Sequence, residues 1–173
     1  MEIIGKTIIK LVEVSTYRSV TDLAGLASEI WNEYFPDIIG QDQVDYMVEK
    51  FQSVDAINEQ INSGYHYYFI NEHGRNVGYT GLVGLPDKGA FQISKFYLLK
   101  DWRGRGIAGQ VLDSIADIAL LDGYQKLYLT VNKYNHLAIN TYEKYGFTRV
   151  GDIVMDIGGG FVMDDYEMQK ILS

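Results

Sequence analysis

The chain has no cysteine. That excludes a disulfide framework, a thiolate metal site and a cysteine nucleophile. Histidine is scarce too: His66, His73 and His136 are the full set, and no His-Glu-x-x-His pattern occurs, so nothing points to a metal centre. Only two prolines interrupt the chain, Pro36 and Pro86. No apolar run is long enough to span a bilayer. The apolar start, Met1 to Val14, carries Glu2, Lys6, Lys10 and Glu13 and has no signal-peptide core. Basic residues are outnumbered, 15 Lys and Arg against 23 Asp and Glu, for a formal charge of -8. A nucleic-acid partner needs a broad basic surface, which this balance does not supply. A cytoplasmic protein with neither a membrane nor a nucleic-acid partner is expected. The acidity suits cationic partners such as amines, and it equally serves solubility.

What is present suits one domain: 173 residues without repeat, linker or low-complexity tract. A domain of that size buries roughly 70% of its unfolded surface and needs no staples. Thr7 to Val14 reads as a first strand. Thr21 or Asp22 is placed to cap a helix with Leu23, Leu26, Ile30 and Tyr34 on its apolar face, and Pro36 ends it. Gln43 to Phe51 reads as a second helix, and Ser53 caps a third, Val54 to Ile61.

Beyond Gly64 the pattern turns to strands. Tyr65 to Ile70 and Asn76 to Val83 form a hairpin around Asn71-Glu72-His73-Gly74, and Ala90 to Leu99 follows the turn at Pro86. Ile107, Val111, Ile115 and Ile118 recur at helical spacing up to Gly123. Lys126 to Val131 is continuously apolar, as a buried central strand should be. A helix capped by Asn135 runs to Gly146, and Phe147 to Asp156 and Phe161 to Met168 close the chain as a hairpin.

The informative stretch is Arg103-Gly104-Arg105-Gly106-Ile107-Ala108, where a strand gives way to a helix. Glycines there leave backbone N–H groups unobstructed at the positive end of a helix dipole, which suits a phosphate or pyrophosphate. Lys95 and Lys100 lie close by in sequence. Gly104-x-Gly106-x-x-Gly109 also fits the dinucleotide fingerprint of a nucleotide-dependent oxidoreductase. Its context does not: four residues separate the strand from the first glycine, and the next strand ends in Asn132 and Lys133 where an acidic ribose ligand belongs. No Gly-Lys-Ser/Thr follows, so a P-loop is excluded.

Arg103, Gly106 and Ala108 match the acyl-CoA loop of the Gcn5-related N-acetyltransferases: Arg or Gln, two residues, Gly, one residue, Gly or Ala. Asn135-x-x-Ala138-Ile139-x-x-Tyr142-x-x-x-Gly146-Phe147 resembles the same family's second, C-terminal motif. Trp31-Asn32-Glu33-Tyr34-Phe35 and Gln43 to Met47 resemble a bacterial subset of it. The resemblance implies one α/β domain over residues 1–173, with a variable acceptor-side helical part (1–63) and an acetyl-CoA-binding core (64–173). The implied sheet is mixed and mostly antiparallel, with a splayed central parallel pair. The implied activity moves acetyl from acetyl-CoA to a primary amine of a small molecule or peptide, by direct attack in a ternary complex and without metal.

The resemblance also implies roles. Backbone groups around Phe96, Tyr97 and Leu98 pair with the pantetheine arm, and one N–H there stabilises the oxyanion. Arg103, Gly104, Arg105, Gly106, Ile107 and Ala108 hold the pyrophosphate. Both arginines have a plain alternative as solvated surface charges. Asn135 bonds the CoA amide, caps its helix, or does both. Tyr142 is the candidate general acid, since a phenol of pKa about 10 stays protonated and can donate to a departing thiolate. Its other reading is a core aromatic. No acid stands on the strand Phe91 to Tyr97, so the general base comes from elsewhere, with Glu33 the first candidate and Asp164 and Asp165 the others. Each has a plain alternative as a surface carboxylate. A non-catalytic acyl-CoA-binding module remains the rival reading. A homodimer is left open, with the aromatic N-terminal helices or the last hairpin as its surface.

Overall fold

A computed structural model describes residues 8–172. The first strand, β1, is Ile9–Glu13, and the Thr7 expected at its start lies outside the described residues. The first helix, α1, spans Tyr17–Tyr34, five residues longer at its start than a cap at Thr21 or Asp22 would give. The true cap is Thr16, whose hydroxyl accepts from the Ser19 amide while the Ser19 hydroxyl accepts from the Thr16 amide. This reciprocal pair satisfies two amides that a helix start otherwise leaves bare. Pro36 does end α1, and it also opens a further turn of helix, α2 (Pro36–Ile39), where a missing N–H costs nothing. Helices α3 (Gln41–Phe51) and α4 (Val54–Asn62) follow, the second capped by Ser53 as expected.

Strands β2 (His66–Glu72), β3 (Arg75–Leu85) and β4 (Ala90–Leu98) form an antiparallel meander beside β1. Helix α5 (Ile107–Leu121) crosses over to β5 (Lys126–Asn132), which lies parallel to β4. Helix α6 (His136–Tyr145) leads to the hairpin β6 (Thr148–Gly158) and β7 (Phe161–Ile171). The seven strands make one sheet in the order β1-β2-β3-β4-β5-β7-β6. It is mixed and mostly antiparallel, with one parallel pair at its centre.

Two apolar layers cover the sheet. Ile70, Val77, Phe91, Leu127 and Leu129 pack under Val111, Leu112 and Ile115 of α5. The opposite face, with Tyr67, Phe69 and Tyr79, packs under Leu23, Ala27 and Ile30 of α1 and Ile57 of α4. Side chains alternate across a strand, so the two faces interleave along β2.

Two irregularities position the site. Strands β4 and β5 pair only at Phe91 with Leu127 and Gln92 with Tyr128, so from Ile93 onward they diverge. At the same point the β3–β4 register slips: Gly81 opposes Lys95 and Leu82 opposes Ile93, leaving Ser94 as an extra residue. Such a bulge bends its strand and reverses which residues face which side. Phe91 and Ile93 face α5 before it, and Phe96 and Leu98 after it. Lys95 is therefore turned to the opposite face, away from the glycine turn. Its Nζ donates to the carbonyl of Phe51 and to Oε1 of Gln60, and burial pulls its pKa down to about 7. The sequence grouped it with the cations of the turn; the bulge removes it from them.

Candidate active site

The glycine turn is built as the sequence reading required. Gly104 and Gly106 have φ of 76° and 75°, a region that costs a residue with a Cβ roughly 1–2 kcal/mol. A Cβ added at either would meet nothing within 4 Å, so the turn faces open space. Gly106 is the N-cap of α5 and brings no side chain to the helix end. The first amides of α5 thus lack an intrahelical partner and point outward with the dipole.

Arg103 roots this turn. Its Nε donates to the Leu98 carbonyl at 3.0 Å, and its guanidinium lies 3.3 Å from Oε1 of Glu33 and 4.6 Å from the centre of the Tyr34 ring. The same Glu33 oxygen accepts from the Lys100 amide at 2.9 Å. Arg105 is exposed, 5.7 Å from the Trp102 ring.

A cleft of about 460 Å3 begins at this turn and runs between α5 and α6 to Phe96, Tyr97 and Leu98 on the splayed part of β4. Phe96, Tyr97, Leu98, Arg103, Gly104, Gly106, Ile107, Ala108, Asn135 and Tyr142 all line it, so the structure brings together most of the residues singled out from sequence. Arg105 and Glu33 do not line it. Asn135 is buried at the head of α6, where its Oδ1 accepts from the Ala138 amide at 3.3 Å, and it also accepts from the Tyr34 hydroxyl. Tyr34 and Lys144 line the same cleft; neither was picked out for this role, and helical spacing alone marks them only as apolar-face and surface residues.

Tyr142 is buried against Phe147, 5.5 Å between ring centres. Burial, reinforced by Tyr34, raises its pKa above the ordinary phenol value, so it holds its proton throughout the neutral range. Tyr142 also lines a second, smaller pocket of about 100 Å3 on the far side of the splay. Phe96, Tyr97, Asn135 and Ala138 border both spaces. The smaller one is closed by Trp31 of α1, Phe35 between α1 and α2, Met47 of α3 and Met163 of β7. Asp165 lines it as well, whereas Glu33 does not. Asp164 points the other way and pairs with Lys133 at 2.9 Å. His136 is exposed at the first turn of α6. Among the described residues, no group of three or more His, Cys, Asp or Glu could hold a metal, and no helix is long and apolar enough to cross a membrane.

An open helix N-terminus beside a splayed parallel pair suits a long, anionic ligand. The chain belongs to the acetyltransferase (GNAT) family, whose sequence profile matches residues 26–147. That membership displaces the dinucleotide reading of the glycine turn. An uncharacterised N-acetyltransferase of Mycobacterium tuberculosis is 26% identical over 152 residues, 87% of this chain and 96% of the relative. Among solved structures, a GCN5-related N-acetyltransferase from Rhodopseudomonas palustris superposes with a TM-score of 0.78 at 14% identity, covering 99% of both chains. The PaiA N-acetyltransferase of Thermoplasma acidophilum, solved in complex with coenzyme A, gives 0.72 at 17% identity over 95% of this chain and 99% of its own.

Proposed function

We propose that this protein transfers the acetyl group of acetyl-CoA to a primary amine of a small molecule or peptide, by direct attack in a ternary complex. The observation that carries the reading is Tyr142, set where the long cleft and the small pocket meet. A thioester carbonyl reaching that point from one side would meet an amine arriving from the other.

The division of labour follows the fold. Residues 64–172 form the acetyl-CoA side, and α1, α2 and α3 roof the acceptor side. The α5 amides from Ile107 onward and the exposed Arg105 take the pyrophosphate. The similar Thermoplasma structure is a complex with coenzyme A, which supports a coenzyme A ligand for this fold. Arg103 is committed to Leu98 and Glu33, so it shapes the turn as much as it contributes charge. The edge of β4 beyond Gln92 is unpaired toward β5 and offers backbone groups to the pantetheine amides. Asn135 adds a side-chain amide at the head of α6. Tyr142 donates its proton to the departing thiolate, a step that typically contributes about 10²–10⁴ in rate. Glu33 bridges Arg103 and the Lys100 amide, which supports a strap between α1 and the turn in preference to proton acceptance.

Calorimetric titration with acetyl-CoA, with NADH as control, followed by an assay of thiol release with an amine panel, tests this reading. Micromolar acetyl-CoA binding, silent NADH and amine-dependent thiol release are expected. Binding without thiol release from any amine would support the non-catalytic acyl-CoA module instead.

A further inference from the structure

Asp165 is 3% exposed, and its Oδ1 has no hydrogen-bond partner. A buried unpaired carboxylate oxygen is costly, and such groups concentrate at functional sites. It stands opposite Asn132 across the β5–β7 ladder, facing the small pocket. Trp31, Phe35, Ile39, Met47, Ile93 and Met163 give the pocket an apolar side, and Gln43, Ser94, Thr130, Asn132 and Asn135 give it a neutral polar one.

We propose that Asp165 is the acceptor-docking carboxylate and general base of this enzyme, and that the pocket it floors selects a compact monoamine. The inference rests on the acetyltransferase reading and deepens it. Size sets the first limit. An enclosed apolar cavity of about 150 Å3 suffices for benzene. The about 100 Å3 available here is smaller still, so the acceptor body it takes is a compact one. Charge sets the second. Asp165 is the only carboxylate of the lining, and the residues from α1, α2 and α3 add no charge, so a second ammonium group on the acceptor finds no second countercharge inside. An amine carrying its own carboxylate is repelled by Asp165.

The proton balance closes. The ammonium of the acceptor gives one proton to Asp165. The amine nitrogen bonds to the thioester carbonyl carbon, and the C–S bond breaks. The thiolate takes the Tyr142 phenol proton, and the second nitrogen proton restores that phenol. One proton remains on Asp165 and passes to solvent.

The environment of Asp165 suits a base that works near neutrality. Burial pushes its pKa up to about 6; the Thr130 hydroxyl and Lys133 lower it, and Asp164 raises it. Tyr97 of β4 and Tyr142 of α6 share its pocket and stay protonated. The deprotonated form is the active one, so turnover should rise with pH through about 6.

The test uses n-butylamine as acceptor, with spermidine and β-alanine beside it. Wild-type kcat/KM is expected to be highest for n-butylamine by at least about 10-fold. Asp165→Asn is expected to lower it about 100-fold or more, to abolish the acidic limb near pH 6, and to leave the acetyl-CoA Kd within about twofold. Asp165→Glu should recover part of the rate and the limb. Preference for spermidine or β-alanine would overturn the selectivity, and an Asp165→Asn enzyme with wild-type rate and pH profile would overturn the base. Loss of acetyl-CoA binding in both variants would mark Asp165 as structural and overturn it too. A wild-type protein that acetylates no amine refutes the acetyltransferase reading itself, a distinguishable failure.

Discussion

The two spaces that meet at the β4–β5 splay are made of different materials. The long cleft is lined at its outer end by backbone: two glycines in a left-handed conformation, the bare amides of α5 and the unpaired edge of β4. The small pocket is lined by side chains from α1, α2, α3, β4, β5, α6 and β7, and its one charged group is a carboxylate. The first takes its form from short-range geometry in the turn and the start of α5. The second takes its shape from how helices and strands distant in sequence are packed. A backbone cradle tolerates change in its surroundings; a side-chain pocket is redrawn by each substitution.

The largest effect should come from the residue the two spaces share. Tyr142→Phe is expected to lower kcat for thiol release about 10²–10⁴-fold while the acetyl-CoA Kd, read by calorimetry, stays within about twofold. Equal turnover in the variant would remove the general acid and leave Tyr142 a packing residue. Next comes a change confined to the cleft. Gly106→Val forces a β-branched residue to a φ of 75° and is expected to cost about 1–3 kcal/mol of stability and at least about 10-fold in acetyl-CoA affinity. Unaltered affinity in a folded variant would show that the turn does not touch the phosphates.

A smaller effect should follow from cutting the strap between the two sides. Glu33→Gln keeps the hydrogen-bonding shape at Lys100 but removes the charge opposite Arg103. A roughly two- to fivefold rise in KM for acetyl-CoA with kcat retained is expected, consistent with about 0.5–1 kcal/mol for a partly exposed pair. A collapse of kcat with KM unchanged would return Glu33 to the role of base. The smallest effect belongs to a position remote from both spaces. Thr16→Ala removes the α1 cap and should cost about 1 kcal/mol, or about 2–4 °C in the melting temperature, with kinetics unaffected.

Legibility from sequence divides along the same line. The glycine turn lies within six residues, 103–108, and the second motif within thirteen, 135–147, and both are where the sequence reading put them. The α1 cap was misplaced because Thr16 and Ser19 sit in a polar run, and only their reciprocal hydrogen bonds reveal a helix start. Lys95 was misassigned because a bulge at Ser94 has no signature in the alternation of Phe91 to Leu98. Asp164 and Asp165 are indistinguishable as adjacent letters. The register of β7 against β5 turns one toward Lys133 and the other into the pocket.

By itself the sequence determined the elements, the anion-binding turn and the position of Tyr142, because a left-handed glycine, a cap or a helical period is an interaction among neighbours. Tertiary structure alone decided the bulge, which of two adjacent aspartates turns inward, and the size of the small pocket. Each depends on strand register and on the packing of residues as far apart in sequence as Trp31 and Asp165, and a one-residue slip of β7 would turn Asp165 to the other face.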